Sequence, residues 1–156
     1  MNERYRRGLA KLEEIDGGEG DRVLANLRTI APDFATYVVE FPFGDIFSRP
    51  GLDLRTRELA TVTALTAMGT APAQLRIHIQ AALNVGATAE EILEVAMQMA
   101  VFAGFPAALN GLAAAKEVFR RPQCPERTDA LTLSNTRNTT EPTQENHCVR
   151  LGFWRI

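Results

Sequence analysis

The sequence predicts an all-α protein: a compact bundle of about six helices over residues 1–120, followed by a loosely ordered polar tail over 121–156. Three observations lead to that class. Apolar residues recur at three- and four-residue spacing through successive stretches. Glycine and proline separate those stretches at GGEG (17–20), Met68-Gly69, Gly86 and Gly104-Phe105-Pro106. No stretch of useful length alternates with the period of two that a half-buried strand requires.

Residues 2–15 place Tyr5, Leu9, Leu12 and Ile15 on one face, and GGEG ends that helix. Asp21 is placed to cap a second helix running through Leu27 and Ile30. Pro32 opens a third, PDFATYVVEFPF, with Phe34, Val38 and Phe41 on one side and assigned to the core. PFGDIFSRPGL (42–52) has two prolines and two glycines, which argue against a long helix. Phe43, Ile46 and Phe47 make it a packed connector. Asp53 is an N-cap for a helix to Met68, and Glu58 lies near its start. Pro72 sits in the first turn of the next helix, which turns Leu75, Ile79, Ala82 and Leu83 inward and shows Arg76, Gln80 and Asn84 outward. Gly86 stops it. Thr88-Ala-Glu-Glu91 is a capping box opening a helix with Ile92, Val95, Met99 and Phe102 on its apolar face. The last helix, PAALNGLAAAKEVF, has small residues around Gly111 that let another helix approach.

Composition narrows the function. The chain has 156 residues, 46% hydrophobic and 23% charged, with a net charge of −2. That is ordinary for one soluble domain and supplies no basic field for nucleic acid. No apolar run approaches the roughly 18 residues of a membrane span. The start, MNERYRRGLAKLEE, lacks the apolar core of a signal peptide, so the expected location is cytoplasmic. Cys124 and Cys148 both lie in the tail and form no CxxC pair.

No phosphate loop and no HExxH occurs, and the central helices contain no serine for a Ser/His/Asp triad. His78 is one of two histidines, the other being His147 in the tail, so no metal site is expected. Glu58 and His78 fall on consecutive helices joined by a tight turn. A carboxylate beside an imidazole fixes its tautomer and orients it, which suits proton transfer near pH 7. The pattern alone leaves two readings of this pair open, a reactive site or a satisfied core pair. Arg49, Arg57 and Arg76, together with Arg55, cluster around the connector and the two central helices, where guanidinium groups can hold carboxylates or form solvated surface pairs. Gln74 stands one turn before His78. Arg49, Arg57, Arg76 and Gln74 are the candidates for holding a substrate.

RTRELATVTALTAMG, followed by LRIHIQAALNVGATAEEILEVAMQMAVFAGFPAALNGLAAAKEVF and preceded by GDIFSRPGL, resembles the carboxymuconolactone decarboxylase family over about residues 20–119. The resemblance implies an alkyl hydroperoxidase D-like helical fold and self-association to a trimer or hexamer. One branch of the family uses a CxxC thiol pair with a nearby Glu and His. Here the corresponding turn reads GTAPAQ and has no cysteine, and no other side chain replaces a thiolate in that chemistry. The other branch resembles 4-carboxymuconolactone decarboxylase of aromatic-acid breakdown, which needs no cofactor. On that resemblance, His78 and Glu58 match the family's histidine and helix glutamate.

The function this implies is cofactor-free decarboxylation of a carboxylated lactone or related small acid, with His78 delivering a proton and Glu58 orienting it. Arg49 or Arg57 would anchor the substrate. A thiol peroxidase relative and a non-catalytic oligomeric binding protein are the alternatives.

Overall fold

The computed structural model describes residues 2–120. The expected polar tail, with Cys124, His147 and Cys148, lies outside the described residues. Every regular element among those described is helical: α1 (Glu3–Asp16), α2 (Glu19–Ile30), α3 (Pro32–Val38), a π-helical segment (Val39–Phe47), α4 (Leu54–Met68), α5 (Pro72–Asn84), α6 (Ala89–Phe102) and α7 (Phe105–Phe119). No described helix is long and apolar enough to cross a membrane.

Two apolar clusters organise the chain. Leu12, Leu24, Ala35 and Val39 bind α1, α2, α3 and the π-helical segment together. Val62, Leu75, Ile79, Ala82, Ile92 and Val118 form the larger core of α4–α7. α1 bridges the two. It packs along the π-helical segment and also touches α5, where Asn84 Nδ2 donates to the Ile15 carbonyl at 3.2 Å.

The helix stops follow the sequence closely. Gly17 and Gly69 end α1 and α4 in the left-handed conformation, with φ of 64° and 67°. Thr88 and Glu91 form the reciprocal capping box of α6. On α7, Ala108, Gly111, Ala114, Ala115 and Val118 are buried. A Cβ on Gly111 would meet Thr66 Cγ2 at 2.7 Å, so the small-residue face does admit α4 at close range.

Four expectations are corrected. The connector 42–52 is helical as far as Phe47. Pro42 has no N–H to donate and its ring crowds the preceding turn; a wider π turn accommodates it inside the helix. Asp21 is not the cap of α2, which begins after Gly18, itself at φ 100°. Phe34 and Phe41 are exposed rather than in the core, and the inward face is Ala35 and Val39. The cause is the closeness of α1: a Cβ on Gly8 would lie 2.3 Å from the Val39 carbonyl oxygen. Backbones that near leave no room for rings, so small residues face inward and the aromatics face out. Phe102 is likewise exposed at the end of α6, where the core stops at Met99.

The α1 contact gives a direct test of this packing. Gly8→Ala should destabilise the protein by on the order of 1–3 kcal/mol, because a backbone oxygen cannot swing aside, and should lower Tm by several degrees. Gly51 has nothing within 4 Å of its would-be Cβ, and Gly51→Ala should leave Tm unchanged. Thermal melts of the two variants decide it; equal melting temperatures would contradict the close-approach account.

Candidate functional site

The site is built on α4 and α5. Asp53 caps α4 by accepting the Thr56 backbone N–H at 2.7 Å. Hydrogen bonds from the Thr56 side chain and backbone hold the Asp53 carboxyl below its ordinary value of 3.8. Arg55, in the first turn of the helix, pairs with Glu91, which also closes the capping box of α6. The first turns of α4 and α6 are thereby tied together. After Gly69 only Thr70 and Ala71 precede Pro72, so α5 turns back along α4.

That return brings Glu58 and His78 together across 20 residues of sequence. His78 Nδ1 lies 2.8 Å from Glu58 Oε2. Glu58 is completely buried, while the His78 side chain is 25% exposed. Glu58 Oε1 has no hydrogen-bond partner among the described residues. The only hydrogen bond of His78 to another described residue is the one through Nδ1, which leaves Nε2 open. The pair is therefore asymmetric: a carboxylate sealed in the core and an imidazole with one edge available. The arrangement can hold a ring in one orientation and tautomer while its far nitrogen exchanges a proton.

The remaining candidates take different positions. Gln74 is one helical turn before His78, on the same face of α5, and is exposed. Arg76 is two residues before His78 and so projects from another side of the helix. It pairs with Glu117 of α7 at 3.4 Å and lines a cleft of about 320 Å³ with Leu65, Thr66, Pro72, Leu75 and Asn110. Neither Glu58 nor His78 lines that cleft. Arg57 is occupied within the fold. Its guanidinium donates to the Leu52 carbonyl at 3.2 Å and the Arg49 carbonyl at 2.9 Å, and lies over the Phe47 ring. It staples the connector to the first turn of α4. Ser48 Oγ, donating to the Phe43 carbonyl at 2.7 Å, fixes the other end. The exposed side chain of Arg49 has no ion pair or hydrogen bond among the described residues.

Sequence reasoning marks Phe47 as part of a packed connector but does not single out Ser48 or Glu91 as supports of this region. Glu91 was visible only as half of a capping box. Its second partner, Arg55, is 36 residues away, and no local pattern encodes that pairing.

The sequence profile described as the carboxymuconolactone decarboxylase family matches residues 32–117, which span the π-helical segment, both site helices and most of α7. The chain belongs to the carboxymuconolactone decarboxylase family. It is 36% identical over 119 residues to a 4-carboxymuconolactone decarboxylase of Acinetobacter baylyi, covering 76% of this chain and 88% of that one. An uncharacterised 15.0 kDa protein of Paracoccus denitrificans, encoded between nqo9 and nqo10, is 39% identical over 94 residues, 60% of this chain and 70% of that one. A nitrosuccinic acid decarboxylase of Metarhizium robertsii is 27% identical over 106 residues, covering 67% and 73%. The family match takes in Glu58, His78, Gln74, Arg76, Arg49 and Arg57.

The capping of the helix that carries Glu58 predicts an acid limb in stability. The folded-state value of Asp53 is lowered from 3.8, so its contribution is present above that value and is lost as pH falls through the lower folded value. Asp53→Asn keeps a capping oxygen but removes the titration. Its Tm should fall less steeply than the wild type's between about pH 4 and pH 2. Parallel melts across that range check the sign; an equally steep fall in the variant would show that Asp53 does not contribute.

Proposed function

We propose that this family member is a cofactor-independent carboxy-lyase that removes a carboxylate from a small acid of the carboxylated-lactone kind, and that it works as a trimer or hexamer in the cytoplasm. The observation that carries the reading is the sealed Glu58 carboxylate holding His78 by Nδ1 while Nε2 stays open. Two relatives bear the names of decarboxylases of small acids, which supports the reaction class. The first of them points to 4-carboxymuconolactone as the substrate to try and to aromatic-compound breakdown as the setting.

The chemistry fits the groups present. In a carboxymuconolactone the departing carboxylate stands next to a double bond conjugated with the lactone carbonyl. Breaking the bond to that carboxylate releases carbon dioxide and leaves an electron pair that spreads onto the carbonyl oxygen. The His78 imidazolium then gives its Nε2 proton to carbon, returning the electron pair to a C–H bond, and the ring regains a proton from solvent. Glu58 keeps Nδ1–H engaged throughout and offsets the positive charge of the protonated ring. Arg49, whose guanidinium has no partner among the described residues and stands on a stapled connector, and Gln74, on the His78 face, are assigned to hold the substrate's carboxylate and carbonyl. Arg57 is assigned to keep the connector in place. Arg76, on another side of α5, is the weakest of these substrate contacts.

A thiol-dependent peroxidase is disfavoured by the absence of any cysteine from residues 2–120. A purely structural pair is disfavoured by the exposed edge of His78, since a satisfied core histidine would have both nitrogens engaged.

The test uses 4-carboxymuconolactone and measures its disappearance together with carbon dioxide release. His78→Asn keeps an N–H where Nδ1 stands, so Glu58 retains its bond, but it removes Nε2. Turnover should fall on the order of 10²–10⁴-fold with little change in Tm. Glu58→Gln should cost less in rate, because it misorients the ring without deleting the donor. A His78→Asn enzyme that melts lower but turns over normally would end the catalytic assignment. A wild-type protein that releases no carbon dioxide would end the substrate assignment.

A further inference from the structure

Among the described residues two apolar surfaces with little charge are exposed, and they lie on different elements. The first runs along α3 and the π-helical segment. Phe34, Tyr37 and Phe41 stand on the side opposite buried Ala35 and Val39, with Ile30 at the end of α2, and the four are between 56% and 81% exposed. The second flanks the turn at Ala103–Gly104. Val101 and Phe102 end α6, Phe105 and Leu109 begin α7, and these four are between 61% and 78% exposed. Each stripe presents on the order of 600 Å² of side-chain surface, counting about 150–250 Å² for a whole aromatic side chain. The largest apolar patch on a typical monomer is roughly 300–600 Å², so each stripe lies at the upper end of that range, and this chain carries two of them.

Charge narrows the occupant. No charged residue occurs between Glu94 and Lys116, so the second stripe is neutral along its whole length. Around the first, Glu40 is buried and paired with Arg4 and Asn2, leaving Asp33 as the one exposed charge from Thr29 to Gly44. Neither stripe carries a pattern that would select an acidic or basic partner. Each fits an apolar surface of matching size, and a second copy of the chain provides one.

We infer that these stripes are the two halves of one contact between copies, with the Phe34–Tyr37–Phe41 stripe of one molecule seated on the Phe102–Phe105 corner of the next. Joining them buries on the order of 1,200 Å², at the threshold of a stable specific interface. Pairing like with like through either stripe would leave the other exposed on every copy. Pairing unlike stripes covers both with a single kind of joint, and a closed assembly leaves none free. This goes beyond the proposed oligomer by naming the faces and their polarity, and it does not depend on the catalytic assignment.

The test mixes two variants. Phe34→Lys with Phe41→Lys disables the first stripe, and Phe102→Lys with Phe105→Lys disables the second. All four rings are more than half exposed within the chain, so far-UV circular dichroism should match the wild type. If either lysine pair loses helicity, serine at the same positions carries the same test. By native mass spectrometry at micromolar concentration, wild type should be a closed oligomer and each variant alone a monomer. An isotope-labelled mixture of the two variants should form a species with one copy of each, because one intact stripe of each kind remains. A monomeric wild type would mean that something other than a second copy covers the stripes, and would overturn the inference. So would variants that form homodimers through the remaining stripe, or a mixture that stays monomeric.

Discussion

A carboxylate with no access to water has one hydrogen bond among the described residues, and the candidate site depends on it. Glu58 is sealed inside α4–α7, and its partner is the Nδ1 of a histidine that is itself partly open. Burying a carboxylate without a partner is costly, so the pair must form for α4 and α5 to pack as they do. The same bond makes His78 more than a surface histidine. One nitrogen is committed to the core and the other is left to whatever docks against α5. In the proposed reading, stability and chemistry thus draw on a single contact, and the surrounding structure serves to keep it in register.

That support comes from both ends of α4. At its start, Asp53 caps the helix, Arg55 binds Glu91, and Arg57 grips the connector by two carbonyls. At its end, the left-handed Gly69 and the short link to Pro72 return the chain so that residue 78 comes level with residue 58. Gly111 lets α7 close against Thr66 on the far side. None of these contacts touches the open edge of His78, and each restricts where that edge can be.

Local signals made much of this legible. Caps, glycine stops and proline starts located α4, α5 and α6, and a tight turn between two helices was enough to bring Glu58 and His78 together. The illegible parts share a cause. Aromatic residues at helical spacing usually pack into a core, and on that pattern the sequence places Phe34, Phe41 and Phe102 there. Their actual placement is set by how near α1 comes to the π-helical segment and by where the α6 core ends, which are tertiary facts. Pro42 marked a break in the pattern, yet a π turn absorbs the proline without ending the helix. Residue type and proximity in sequence single out four candidate substrate contacts. Packing then separated them, with Arg57 turned to its own backbone, Arg76 turned to Glu117, and Gln74 left beside His78.

The central claim is that Glu58 takes the Nδ1 proton of His78 as its hydrogen bond and so leaves Nε2 as the working nitrogen. Nitrogen-15 spectroscopy of the imidazole rings reads this directly. The chain has only two histidines, and a His147→Gln variant leaves the signals of His78 alone. In the neutral ring the account predicts a proton on Nδ1 and a bare Nε2, at chemical shifts well separated from the averaged values of a free imidazole. A neutral ring protonated on Nε2, or one averaging between tautomers, would contradict it.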